Sequence, residues 1–230
     1  MPEAPMFSVI VPVHRESGLL AEVRSRVHAA SAPLELVIVL NDRSLAGGIR
    51  AERPNEKVVV CERRGRGFAF ARGAKEVRGE VVVLLHSDTL LPASWDIAIK
   101  NALADPRFVG GGFHIAFDRP SRFLNFLLRY SDLMVLFRRA MWGDRAVFVR
   151  APALRKCLGA LDVPLFEDVR LSKCLRRQGR LVLLKERVVT SADHFWRNGP
   201  YAQTARIIKA RLWYAFGGDP QRIYDYYYSR

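Results

Sequence analysis

Cysteine is scarce and odd in number: Cys61, Cys157 and Cys174 are the three present, and they lack metal-ligand spacing. Neither a disulfide framework nor a zinc site is expected, and a reducing cytoplasm fits. Long apolar runs are also missing. None approaches the roughly 20 residues that a membrane-spanning helix needs, so the chain is not expected to cross a bilayer by itself. The first strand is reached at Phe7 without a charged and then apolar leader, so no secretory signal is expected. Internal repeats, low-complexity tracts and clear linkers are absent as well. One continuous domain with a C-terminal helical extension is the simplest parse.

Acidic residues are outnumbered, 23 Asp and Glu against 37 Lys and Arg, which leaves a net charge of +14. That excess favours phosphorylated or polyanionic partners or an anionic membrane surface, and equally fits a generally basic soluble surface. Arg dominates it, and a guanidinium is the better fork for phosphate oxygens.

What is present is organised around Glu80 to Thr89. The apolar run Val81-Val82-Val83-Leu84-Leu85 reads as a strand buried on both faces, as the centre of a parallel sheet requires. It stops at His86-Ser87-Asp88-Thr89, with Pro92 soon after to start a helix. In an open α/β sheet the carboxyl ends of the strands line the ligand crevice, which would place Asp88 in a site. A carboxylate there with an imidazole two residues earlier suits a divalent ion bridging a diphosphate. The alternative is that Asp88 caps the following helix and His86 fills a strand end.

Strands are also expected at Phe7 to Val13, Leu34 to Leu40 and Val58 to Cys61, with helices from Gly18 to about Ala30 and from Arg63 to about Val77. Their alternation predicts a Rossmann-like, doubly wound α/β sheet. Glu16, Asp42 and Asp88 each follow a strand end within a few positions, and such a crevice would collect them. The turn Gly65-Arg66-Gly67 follows a strand and opens a helix, so its amides are placed to cradle phosphate. Phe70 stands where a dinucleotide fingerprint has its third glycine, and no acidic residue follows at ribose distance, which excludes the NAD reading.

Further on, a helix is expected from Pro92 to Ala104 and a strand from Val109 to Phe117. Residues 121–141 crowd Phe and Leu among Arg122, Arg129, Arg138 and Arg139. A core helix is the leading expectation there, and an amphipathic helix resting on lipid is the alternative. Trp142-Gly143-Asp144-Arg145 is a turn before a strand at Ala146 to Val149. A helix from Pro152 to Leu158 comes next. Glu167 and Asp168 fall in the first turn of another helix, where the macrodipole favours negative charge for stability alone and also keeps a carboxylate ready to accept a proton. Two strands, Arg180 to Leu184 and Val188 to Thr190, precede His194, a helix from Tyr201 to Phe216 and a short Tyr-rich tail.

Taken in order, these pieces resemble the family 2 glycosyltransferases of the GT-A fold. The resemblance is carried by FSVIVPVHRE from Phe7, LVIVLNDRS from Leu36, VLLHSDT from Val83 and FEDVRL from Phe166. Asn41, Arg43 and His86 depart from the family's usual acidic turn and DxD element. The chain is more narrowly similar to the small soluble bacterial subgroup linked with arsenosugar biosynthesis, through His86 to Thr89, Gly143 to Arg145, Phe166 to Ser172 and Thr190 to Asp193. The resemblance implies a GT-A sheet, mixed and mainly parallel, with helices on both faces. It would hold a nucleotide-binding half over about 1–105, an acceptor half over about 106–200 and C-terminal helices over 201–230.

It further implies an inverting, metal-dependent transfer of a sugar from a nucleotide-diphosphate donor to an acceptor hydroxyl, small or lipid-linked. Mg2+ or Mn2+ would be held by Asp88, with His86 and His194. The donor would lie against Pro12, His14, Glu16, Asp42, Arg66, Gly67 and Ser87, and the acceptor against Trp142 and Asp144. Asp168 would be the base, with Glu167 orienting it or the acceptor. A cytoplasmic location is expected, with peripheral contact at the inner face of the membrane through 121–141. No specific nucleic-acid partner is implied. The rival readings are a basic RNA- or membrane-binding module and, as a remoter one, a sugar-nucleotide pyrophosphorylase, whose glycine-rich loop after the first strand is here PVHRESG.

Overall fold

The computed structural model describes residues 5–15, 18–142 and 144–228. Strands β1 (Phe7–Val13), β2 (Leu34–Leu40) and β4 (Val81–Leu84) are buried along their whole length, and β3 (Glu56–Val60) is partly so. They are parallel, with Phe7 opposite Leu34 on one side and Val81 on the other. Side chains alternate between the two faces of a strand. Val9, Val11, Leu36, Ile38 and Val83 therefore enter one core, while Ile10, Val37, Val39 and Val82 enter another. Helices α1 (Leu20–Val27) and α3 (Trp95–Leu103) cover the first core, with Trp95 edge-on to Phe7. Helices α2 (Arg66–Gly73), α5 (Ala151–Lys156), α6 (Leu158–Leu161) and α7 (Glu167–Leu175) cover the second. Apolar side chains on both faces explain why these strands read as mostly hydrophobic runs, and the polar exceptions pair with each other, the Ser8 hydroxyl donating to the buried Glu35 at 2.7 Å.

The other strands are β5 (Thr89–Leu90), β6 (Phe108–Phe117), β7 (Val147–Arg150) and β8 (Arg180–Thr190). Among the described residues the eight form one sheet in the order β3-β2-β1-β4-β7-β6-β8-β5. Strand β7 runs antiparallel to β4 and β6, and β5 antiparallel to β8, while β6 and β8 are parallel. The mixed, mainly parallel sheet with helices on both faces is as expected. The two short strands expected over 180–190 are one strand. Its register against β6 shifts between Phe113 and His114, which absorbs Lys185 and Glu186 without ending the strand.

Two expectations are corrected. Cys157, at the junction of α5 and α6, forms a disulfide with Cys174 of α7, with Cα atoms 5.9 Å apart. The packing of α7 against α6, which follows directly on Cys157, creates this proximity, and a separation of 17 residues in the chain does not announce it. Helix α4 (Arg122–Arg138) is the second case. Ser121 caps it, accepting from the Leu124 amide at 3.1 Å, but Leu124 and Val135 are its buried residues, and Phe126, Tyr130, Leu133, Leu136 and Phe137 face solvent. It is not a core helix. The buried Arg145 guanidinium fastens its inner face, donating to Phe113 O and Ser131 Oγ and pairing with Asp132, which also meets His114 at 2.7 Å. The chain closes with α8 (Asp193–Asn198), α9 (Pro200–Ala215) and α10 (Pro220–Tyr228), and the last is a formed helix where a tail was expected.

Candidate active site

The ends of β1 and β2 form the first half of the site. Pro12 is buried in β1 opposite Val39, and His14 follows at the exposed strand end. Glu16 lies outside the described residues. Asp42 caps a short 3-10 turn at Arg43–Gly47, its Oδ1 accepting from the Ser44 amide at 2.9 Å, and that bond holds its carboxyl below the usual range. Beside it opens a cleft of about 390 Å3 lined by Asn41, Asp42, Arg43, Cys61, Glu62 and Arg64. Asn41 carries a role that the sequence did not reveal. Its buried amide donates to Arg63 O at 2.6 Å and accepts from the Gly65 amide at 3.0 Å, so it holds the glycine turn in place.

Two of the amides of that turn are engaged within the chain. The Gly65 amide is taken by Asn41, and the Arg66 amide donates to Pro164 O at 3.1 Å. Gly67 serves close approach instead: a Cβ there would sit 2.1 Å from Val163 O and 3.0 Å from the Glu167 Cβ. The start of α2 thus presses against the segment that leads into α7, and it brings Arg66 among the acids. Arg66 Nε donates to Glu167 Oε1, Nη2 stands 4.0 Å from Asp168, and Nη1 stands 3.8 Å from Asp144. Asp144 in turn pairs with His86 Nδ1 at 2.6 Å. Four of the expected site positions, Arg66, Asp144, Glu167 and Asp168, therefore meet around one guanidinium, with His86 joined through Asp144.

The electrostatics follow from that crowding. Burial opposes charge on His86, but Asp144 outweighs it and raises the imidazole above its ordinary 6.5. Desolvation in the cluster would raise Asp144, yet His86 and Arg66 bring it well below the carboxylate range. Its side chain keeps 36% of its surface, so solvent screens part of that pairing. Asp88, between β4 and β5, is pushed up by burial and then by the charge of Asp144. Glu167 is also raised, by burial first, with Asp168 adding to the effect and Arg66 opposing it. Its Oε2 is enclosed with no hydrogen-bond partner in the structure. Ser87 sits half-buried between His86 and Asp88.

Two strained residues position these acids. Phe166 (φ 65°) immediately precedes Glu167, and Ala146 (φ 45°) follows Asp144 by two positions; non-glycine residues adopt such angles only where surrounding structure imposes them. Phe166 is held by its ring contact with Tyr214 of α9, 4.6 Å between centroids. The indole of Trp142, expected to border an acceptor, lies under the Arg211 guanidinium at 4.6 Å, and its Nε1 is enclosed without a partner. His194, on α8, faces Asn198 and the ring of Tyr227 and feels the charge of Asp144, but among the described residues it forms no metal-holding group with His86 and Asp88. Tyr227 of α10 accepts from Gln203 at 3.2 Å, and burial and then the Asp144 charge raise its phenol. Neither Arg211 nor Tyr227 was marked in the sequence, because helix packing alone brings them here.

Among the described residues no three His, Cys, Asp or Glu side chains stand close enough to form a metal cage of their own. Asp88, pushed up by burial and by the charge of Asp144, is nevertheless a hard oxygen donor that a cation would relieve, provided that ligand oxygens complete its sphere.

Residues 8–151 match the family model "Glycosyl transferase family 2", and the chain belongs to that family. Its sheet and flanking helices are the GT-A fold. Among solved structures it is similar to a mannosyltransferase from Pyrobaculum calidifontis in complex with GDP-Man and Mn2+, at 21% identity and a TM-score of 0.64 over 91% of this chain. It is also similar to residues 1–349 of TarS from S. aureus, at 14% identity and a TM-score of 0.56 over 96% of this chain and 70% of that one. GalNAc-T7 with UDP, GalNAc and Mn2+ matches at 14% identity and a TM-score of 0.60 over 83% of this chain and 44% of that one. The chain spans 62% of the length of the Pyrobaculum protein. No curated protein matches it in sequence.

Proposed function

We propose that the chain transfers a sugar from a nucleotide-diphosphate donor to an acceptor hydroxyl with inversion at the anomeric carbon. The observation that carries this reading is the Arg66 cluster, which joins His86, Asp144, Glu167 and Asp168 at the mouth of the parallel strands, next to the cleft at Asn41 and Asp42. The cleft suits a nucleotide, with Asp42 as the contact to base or ribose and Pro12 and His14 beside it. Asp88, with His86 beside it, would hold Mg2+ or Mn2+ against the diphosphate, and the chemistry supplied there is Lewis-acid neutralisation of the leaving charge. The complexes of the Pyrobaculum mannosyltransferase and GalNAc-T7, each with a nucleotide ligand and Mn2+, support that part of the reading.

Asp168 is the better base of the two neighbouring acids. Glu167 is spent on Arg66 and enclosed on its other oxygen, so it positions the guanidinium and, through it, Asp144 and Asp168. Asp168 takes the acceptor proton as the new C–O bond forms and the bond to the diphosphate breaks, with the electron pair leaving on the diphosphate. Trp142 and Asp144 border the acceptor, since an indole face packs on sugar C–H groups. The kinship with the arsenosugar-linked subgroup rests on its sequence motifs, and we carry it as the finer form of this proposal.

Calorimetric titration with UDP and GDP, each with and without Mn2+, tests the reading. Metal-dependent binding of one nucleotide is expected in the wild type and lost in Asp88→Ala. Asp168→Asn should bind donor normally while turnover falls about 10²- to 10⁴-fold. Wild-type turnover by that variant would remove Asp168 as the base, and no nucleotide binding under any condition would remove the transferase reading itself.

A further inference from the structure

Helices α4 and α9 each carry two apolar stripes on opposite sides. In α4, Leu124, Leu128, Ser131 and Val135 follow the helical repeat toward the sheet, while Phe126, Tyr130, Leu133 and Phe137 follow it outward, Phe137 being 79% exposed. In α9, Gln203, Ile207, Ala210 and Tyr214 face inward. Tyr201, Ala205, Ile208 and Leu212 face outward, and Phe216 continues that line at 87% exposure. The two helices meet where both begin, Phe123 touching Tyr201 at 4.4 Å, and farther along Arg211 of α9 stacks on Trp142, which follows α4 in the chain.

Exposed apolar rows of this extent mark a surface that meets another apolar phase or partner. Charge decides which. Residues 121–141 hold Arg122, Arg129, Arg138 and Arg139 against a single acid, Asp132, which Arg145 and His114 engage on the inner side. Residues 200–215 hold Arg206, Lys209 and Arg211 and no acid at all. A second copy of the chain would bring the same cations against these. An anionic bilayer offers both headgroup charge for the arginines and hydrocarbon for the rings.

We propose that the outer faces of α4 and α9 together form a docking surface for an anionic membrane, with the aromatic and leucine rows entering the headgroup boundary. The surface ends at Trp142, two positions from Asp144, so docking would set the acceptor side of the cluster close to the lipid plane. The membrane contact itself does not depend on the transferase reading.

Flotation with phosphatidylcholine vesicles, with and without about 30% phosphatidylglycerol, tests it. The wild-type chain is expected to float with the anionic vesicles only. The triple variant F126S/L133S/F137S, folded by circular dichroism, should lose at least about tenfold in partitioning. Arg129→Glu with Arg138→Glu should lose the preference for anionic vesicles. Equal flotation of the wild type and the triple variant would overturn the proposal. So would a wild-type dimer in sedimentation equilibrium that the triple variant breaks, with no vesicle binding by either, which would assign the face to a second copy. The nucleotide titration reads the donor site separately, so either proposal can fail alone.

Discussion

The parallel strands β1, β2 and β4 and the helix pair α4 and α9 are both apolar on two opposite sides, but only the strands bury both. Along β2, Leu36 and Ile38 fill one core while Val37 and Val39 fill the other. Along α4, the inward stripe finds the sheet and the outward one finds solvent. A two-sided apolar pattern therefore means a central position only when the fold has layers on both sides to receive it. Helices α4 and α9 have no layer of the chain over their outer sides, and their second stripe is exposed.

The comparison is broken most readily at the strands. Ile38→Ala should cost about 2–5 kcal/mol in denaturant unfolding, whereas a loss below about 1 kcal/mol would show that β2 is less tightly enclosed than its burial indicates. Arg66→Ala comes next. It leaves Glu167 buried without a counter-charge, and a loss of about 3 kcal/mol is expected, with recovery in the double variant carrying Glu167→Gln. The electrostatic part is sharpened by Asp144→Asn in metal-free protein. Removing the partner that raises His86 should lower that imidazole, as read by its NMR titration.

In the wild type the sign is fixed by the raised His86: its pairing stabilises the folded chain fully below 6.5, and that contribution is lost as pH rises through the raised value. Asp144, held down, yields its contribution only as pH falls far into the acid range. The smallest effect belongs to the outer stripe, where Leu133→Ser should shift stability by no more than about 0.5 kcal/mol.

Strand β2 was legible to its last residue, because burial on both faces leaves the apolar run Leu36 to Leu40, closed by the polar Asn41. Helix α4 was not, since composition cannot tell a stripe that meets a sheet from one that meets solvent. At the site, Asp88, Glu167 and Asp168 were legible as acids at strand or helix ends. Their gathering was not: Arg66 and Glu167 are 101 residues apart in the chain, and only the contact of α2 with the start of α7 joins them. Arg66 was read as a donor contact for that reason, and Asn41 as a mere departure from a motif.

Gly67 sets the gauge between those two elements. The gap between its Cα and Val163 O admits a hydrogen and nothing larger, so it acts as a shim whose thickness fixes how far the acidic turn stands from the guanidinium. A methyl at that position would wedge the turn outward and detune three carboxylates at once, even though the glycine brings no functional group of its own.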